Sequence, residues 1–468
     1  MATQPQVILL EFNELCPALM DKFIAQRKLP NFERLRQESQ VYVTDAEEAS
    51  PALEPWIQWI TVHTGLSYKE HGVFDLGDGH KLKTPRLWDL AGRAGLSSWV
   101  CGSMNTAFQP PFQGFFLPDP WSTGMQPFPA EELAPYYDFI ARNVQEYTRD
   151  RVPLSATDYR RFLTFMITHG LSAATASRII SQLLQERTAK EFRWQRATIL
   201  DRLQWDVFAW YQSRHQPSLS TFFLNSTAHF QHIYWRNMDS EPFQIKPTAD
   251  EQRTYENAVL LGYERMDDLV GRCLDSFGDR CQIVFASALS QQPCLSYEQS
   301  GGKKFYRVTD PEKLYRFAGV QGSPKFSPVM SEQFHLYCDS AQHAGETVAA
   351  LCAVRLADGQ PAIAARADGS EVFGGCRLFS DVDNQAALEA GGKKAAFYDL
   401  FYRVDGTKSG MHHPDGIFWV RTLDRAHHVH PGKVSLRAVA PTVLSLLGLP
   451  KPAHMTGEAV TLAALAAV

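Results

Sequence analysis

Val7-Ile-Leu-Leu-Glu-Phe12 is the stretch on which the fold turns. It is short and aliphatic, and a polar turn and Pro17 close it, the pattern of a strand buried on both faces in a parallel sheet. Working outward, Leu19, Met20, Phe23 and Ile24 share one helical face before Lys28-Leu-Pro30. Gln40 to Val43 fits a second strand. Glu54-Pro55 opens a helix running to about His63, with proline at the first helical position, where its fixed φ suits. Leu87 to Ala94 is helical and stops at Gly95, and Ser98 to Cys101 is strand-like. Strand alternating with helix predicts an α/β fold with a mostly parallel sheet flanked by helices.

The texture changes from about Pro127 to Ser213, where helical periodicity runs without strand candidates. This predicts a helical cap inserted over 121–220. Strands resume at Thr221 to Asn225 and Gln282 to Ser287. Ala349 to Leu356 and Ala362 to Ala365, punctuated by Asp358-Gly and Asp368-Gly turns, predict a small β-rich insertion over 301–383. Ile417 to Val420 is a late core strand, and Leu436 to Leu447 a closing helix stopped by Gly448 and Pro450. The α/β core is thus expected over 1–120, 221–300 and 384–468. Arg425 to His430 reads as loop.

The chain has 468 residues, 44% of them apolar and 21% charged, with a net charge of −5, the profile of an ordinary globular protein. Collagen-like, disordered and disulfide-scaffold classes are excluded. The charge balance argues against nucleic acid polymer or membrane as the main partner, and a small-molecule substrate is the expected partner. No apolar run near either end approaches the ~20 residues of a membrane span. The eight scattered cysteines, with no Cys-x-x-Cys pair, predict reduced thiols and a cytoplasmic location. An exposed apolar face on the helical insertion would predict a homodimer.

Several segments, in order, resemble the alkaline phosphatase superfamily in its type I phosphodiesterase/nucleotide pyrophosphatase branch. They are Lys28-Leu-Pro-Asn-Phe-Glu-Arg-Leu35, Thr64-Gly65 with His71-Gly-Val-Phe74, and Leu87-Trp-Asp-Leu90 with Ala94-Gly95. Further on come Gln231-His232 with Trp235, Gly410-Met-His412 with Pro414-Asp-Gly-Ile-Phe418, and Val439 to Pro450. The resemblance implies that family's fold, and an enzyme, hydrolase or transferase, acting on a phosphodiester or nucleotide-like substrate. Family members hold two metal ions, usually zinc, with Asp and His ligands around a Ser/Thr nucleophile. Carried over residue by residue, the first Asp becomes Asn13, and Glu54 or Pro55 stands where the nucleophile is expected. Asp-x-x-x-His becomes Ala228 to His232, and a later Asp-His pair becomes Ala288-Leu289; His232 and His412 are retained.

Ala288 and Leu289 offer no ligand atom, so the resemblance implies at most one metal ion, zinc first, and leaves open that none binds. His232, His412 and His229 are the candidate ligands, with His413 as substitute. Glu11 and Asn13 lie two apart on one strand and so share a face, with Glu14 following in the turn. A charged Glu11 inside an apolar strand needs a partner or a function. Glu54 at a helix start is either a catalytic carboxylate or a plain capping acid. Asn105 and Asn225 follow strand-like segments, where open α/β sheets bind ligands, and are candidate substrate contacts. His63 reads as a packed histidine, and Lys303-Lys304 as a weak candidate for touching an anionic substrate. Three functions remain: a one-metal enzyme using Glu54, Asn13 and Glu11, a metal-free enzyme on a sugar or glycosyl-phosphate using Glu11 or Glu54 with His, and a ligand-binding pseudoenzyme.

Overall fold

The computed structural model describes residues 5–122, 125–147, 154–404 and 406–462. Val7–Phe12 (β1) is the hub of an eight-stranded sheet. Its partners are Gln40–Asp45 (β2), Ser98–Cys101 (β3), Gly114–Leu117 (β4), Leu219–Leu224 (β5), Gln282–Ser287 (β6), Asp415–Arg421 (β7) and His428–Ser435 (β8). The order is β8-β2-β7-β6-β1-β5-β3-β4, and every pairing is parallel except those of β7.

Alternation along β1 sends its side chains into two cores. Ile8, Leu10 and Phe12 join the helices Pro17–Ala25, Pro30–Gln37, Ala197–His215 and Ala258–Phe277 on one face. Val7 and Leu9 join Pro55–Thr64, Leu87–Arg93 and Val439–Leu446 on the other. Phe12 meets Phe32, Phe222 and Phe285 edge-on, with ring centroids 5.5–6.3 Å apart.

Topology places the site. β1, β5 and β6 run in parallel, so the segments after Phe12, Leu224 and Ser287 emerge together at one end of the sheet. Because β7 runs the other way, with Ile417 opposite Ser287, the residues that precede it arrive at that same end. Those residues form Gly410–His413, which pairs with Ser290–Pro293 in a short ribbon.

The 121–220 stretch is helical, as Ala130–Tyr147, Ala156–Thr168, Ala173–Thr188 and Ala197–His215. Tyr159, Leu163 and Ile167 on the second of these, and Ile180, Leu183 and Leu184 on the third, are exposed. The later insertion departs from a purely β reading. Ala349 to Cys352 end a helix, Ala341–Cys352, whose Ser340 Oγ accepts from the His343 amide, and only Arg355–Leu356 is strand. The alanines there are helix formers, so the apolar run follows a helical rather than a strand period. A four-stranded sheet, Ile363–Asp368, Glu371–Cys376, Gln333–Tyr337 and Lys325–Pro328, packs beside it. The core of this unit runs past 383, through Leu388, Phe397 and Phe401, because Phe401–Arg403 pairs with Tyr306–Val308. Arg425 to His430 also differs from a plain loop, since His428 begins the edge strand β8. That strand is mostly exposed and its register shifts between Val429 and Lys433, so no apolar alternation announces it. No described helix is long and apolar enough to cross a membrane.

Candidate metal centre

The chain leaves β1 under tight control. The Asn13 amide donates to the Leu224 carbonyl at 2.9 Å, extending the ladder one step, and Glu14 then turns with φ of 59°. That left-handed turn is costly for a residue with a Cβ, and it is held from several sides. Gln231 Nε2 donates to the Glu14 carbonyl at 2.7 Å, and Tyr263 steadies Gln231 by donating its hydroxyl to Oε1 at 2.9 Å. The Glu14 carboxylate is only 2% exposed. Asn13 Nδ2 donates to Oε1 at 3.0 Å and Gln291 Nε2 to Oε2 at 2.5 Å.

Two histidines face that carboxylate. His232, on the helix Ser226–Met238, places Nε2 3.1 Å from Glu14 Oε2, and His412, on the ribbon, places Nε2 3.5 Å from the same oxygen. The far side of each ring decides its chemistry. His232 Nδ1 bonds the Gly410 carbonyl at 3.0 Å, and His412 Nδ1 bonds the Leu53 carbonyl at 2.9 Å. A carbonyl only accepts, so each Nδ1 carries the proton and each Nε2 turns a lone pair inward. Position 410 is glycine for a steric reason, since a Cβ there would lie 2.5 Å from the Gln231 carbonyl oxygen.

Electrostatics match this arrangement. Burial opposes charge on Glu14, but the neighbouring His232 and His412 and the bond donated by Gln291 outweigh it and hold the carboxyl at about 2. Burial pushes His412 down to about 3, so its imidazole is neutral. An ionised carboxylate and a neutral imidazole are the forms a metal ion binds. The three donor atoms lie within 4.8 Å of one another. Four ligands set tetrahedrally at about 2.1 Å from zinc stand roughly 3.4 Å apart, close to the two separations from Glu14. The donor set therefore fits a single cation.

Glu54 borders the group, as the residue preceding the helix Pro55–Thr64. Its Oε2 is 3.4 Å from His412 Nδ1. About 30% of its side chain reaches solvent, yet the carboxyl sits in a recess. Burial there pushes it up to about 8, against the pull of Lys408. It is a carboxylic acid near neutrality, able to give a proton and take it back.

The other expected residues take different places. Glu14, read as a turn residue, supplies the third donor atom of the group, for which His229 was the candidate. His229 lies one turn earlier on the same helix, outside the three-donor group, and burial lowers it to about 4. Glu11 shares a face with Asn13, as strand alternation requires, but lies beneath the site. Its oxygens meet His63 Nε2 at 2.8 Å and the Ser103 hydroxyl at 2.6 Å, so its partners are internal. Asn13 is fully occupied: Oδ1 accepts from Trp59 Nε1 at 2.8 Å, and Nδ2 donates to Glu14 and to Asn225 Oδ1. It positions the carboxylate, and Asn225 positions Asn13. Asn105 is spent on the 75–79 turn, accepting from the Gly77 and Gly79 amides and donating to the Trp56 and Asp75 carbonyls, with no capacity left for a ligand. Ala288 and Leu289 are packed in the apolar core.

Asp201 supports the His232 helix from below by accepting the Ser226 hydroxyl. Burial pushes its carboxyl up from 3.8 to about 7. The folded state then holds a proton that the unfolded chain releases, so the stability from this group is full below about 3.8 and is lost as pH rises through about 7. Urea midpoints taken from pH 4 to 8 should fall for wild type relative to Asp201→Asn, and parallel curves would contradict this.

No protein-family model matches the chain, and no curated protein does. Among solved structures it is similar to phosphonoacetate hydrolase from Sinorhizobium meliloti 1021. The complex with phosphonoformate is 12% identical with a TM-score of 0.42, and the complex with phosphonoacetate 12% with 0.43; each match covers 95% of this chain and 96% of that one.

Proposed function

We propose that this protein is a metal-dependent enzyme, a hydrolase acting on a phosphodiester or nucleotide-like substrate, built on an alkaline-phosphatase-like framework. Glu14, His232 and His412 would hold its one metal ion. The observation that carries this reading is the convergence of one carboxylate and two Nε2 lone pairs, each imidazole tethered through Nδ1 to a backbone carbonyl. Facing lone pairs repel unless a cation lies between them. The phosphate assignment draws on the resemblance of the retained segments and on the helix N-terminus that faces the same end of the sheet.

When bound, a metal such as zinc supplies Lewis acidity to a phosphoryl oxygen and lowers the pKa of a water to about 7. The protein's own groups do the rest. Glu54 holds a proton at its carboxyl and delivers it to the departing oxygen, then recovers one from the attacking water. Asn13 and Gln291 fix the rotamer of Glu14, and the Leu53 and Gly410 carbonyls fix the two rings.

Protein purified without chelator should carry about one equivalent of zinc or another transition metal per chain. It should hydrolyse bis(4-nitrophenyl) phosphate, stop after dialysis against a chelator, and recover with added metal. A chain that takes up no metal on reconstitution overturns the reading. Chelator-resistant turnover would instead favour acid–base chemistry by Glu54 and histidine alone.

A further inference from the structure

Two lysines stand beside the three-donor group. Lys303 Nζ lies 4.4 Å from the ring centroid of Phe379, 5.4 Å from Phe305 and 5.8 Å from Tyr297. The Lys408 amide donates to the Lys303 carbonyl at 3.1 Å, so hydrogen-bonded neighbouring segments carry the two side chains. The next residue, Ser409, donates its amide to the His232 carbonyl at 2.6 Å and accepts from the Cys294 amide at 2.8 Å. Lys408 therefore belongs to the short run that also presents Gly410 and His412. Both ammonium groups lie within electrostatic range of the Glu54 carboxyl.

Neither lysine has an obvious structural reason to be there. Both are half-buried, and among the described residues no carboxylate comes within ion-pair distance of either. Glu54 and Glu332 act on Lys303 only from farther off, while Lys408 acts on it as a like charge. Cation–π contact offsets part of the desolvation and gives Lys303 a fixed direction. Two cations on hydrogen-bonded neighbouring segments, neither in an ion pair, raise the positive potential around them. A partly buried charge is costly unless it is paired, and an anion would supply the missing partner.

We infer that Lys303 and Lys408 form an anion subsite that receives a second negatively charged group of the substrate, while its first phosphoryl group lies at Glu14, His232 and His412. This rests on the metal-site reading above and narrows it, because the preferred substrate then carries two anionic groups a few bonds apart. The second group is a carboxylate or another phosphoryl, both of which two ammonium groups can hold.

Calorimetric titration of the zinc-loaded protein tests the idea with three probes. Methylphosphonate has one anionic head, 3-phosphonopropionate adds a carboxylate, and methylenediphosphonate adds a second phosphonate. Zinc content is measured after each run, so that extraction of the metal is seen. At least one two-headed probe should bind wild type about tenfold or more tighter than methylphosphonate. Lys303→Gln and Lys408→Gln should each lose most of that ratio, with zinc content and methylphosphonate affinity unchanged. The better two-headed probe identifies the second group. A ratio unchanged in both variants, or no preference in wild type, overturns the subsite and leaves the metal reading standing. Failure of the metal reading looks different: wild type retains no zinc and does not bind methylphosphonate. A lysine-dependent preference for the two-headed probes in that metal-free protein would still support the subsite.

Discussion

Glu14→Gln protein is expected to bind zinc more than about a hundredfold more weakly than wild type, and to lose hydrolysis with it. Removing a group that only orients a ligand typically costs 10–100-fold in metal affinity, and Glu14 would be a ligand itself. Gln preserves the shape of the side chain and can still accept from Asn13 or Gln291 through one oxygen. It removes the charge that two imidazoles and two amides surround. The fold should survive, because the turn at Glu14 is held through its backbone by Gln231. Competition against a chromogenic chelator reads the affinity, and far-ultraviolet circular dichroism reads the fold. Wild-type affinity in Glu14→Gln would remove Glu14 from the ligand set.

Glu54→Gln separates proton transfer from metal binding. Its expected signature is a fall in kcat of roughly 10²–10⁴-fold, the usual scale for losing a positioned acid–base group, with zinc stoichiometry intact. Glu54 touches His412 at Nδ1, the nitrogen already committed to the Leu53 carbonyl, so the ligand nitrogen is not disturbed. The carboxyl is pushed up to about 8. A general acid must be protonated, so in wild type the limb of the kcat profile set by this acid falls as pH rises through about 8, and Glu54→Gln loses that limb. A variant with wild-type kcat would make Glu54 a plain helix-start acid.

The framework was legible because β1, β3, β5, β6 and β7 are short apolar runs with clear stops, and burial on both faces writes itself into composition. His232 and His412 stood out for the same reason that any histidine in a resembling segment does. Glu14 did not. What brings an acid in a loop into the three-donor group is a left-handed backbone at one residue, together with Gln231 and Gln291 from distant parts of the chain. Asn105 shows the converse. A polar residue after a strand looks like a substrate contact, yet this one is consumed by four backbone partners in a turn that no local pattern reveals. Glu11 lies between these cases: the need for a partner was readable, but His63 and Ser103 as those partners required the fold.

The position of β1 at the centre of the sheet has a consequence for the birth of the molecule. It is made before every other strand of its sheet, and neither of its neighbours exists until much later; Asn13 waits for Asn225, 212 residues downstream. During that interval an aliphatic segment with two open edges has nothing native to pair with, the condition in which nascent chains aggregate. Glu11 puts a charge into that segment while it waits, and only the arrival of the later strands buries it.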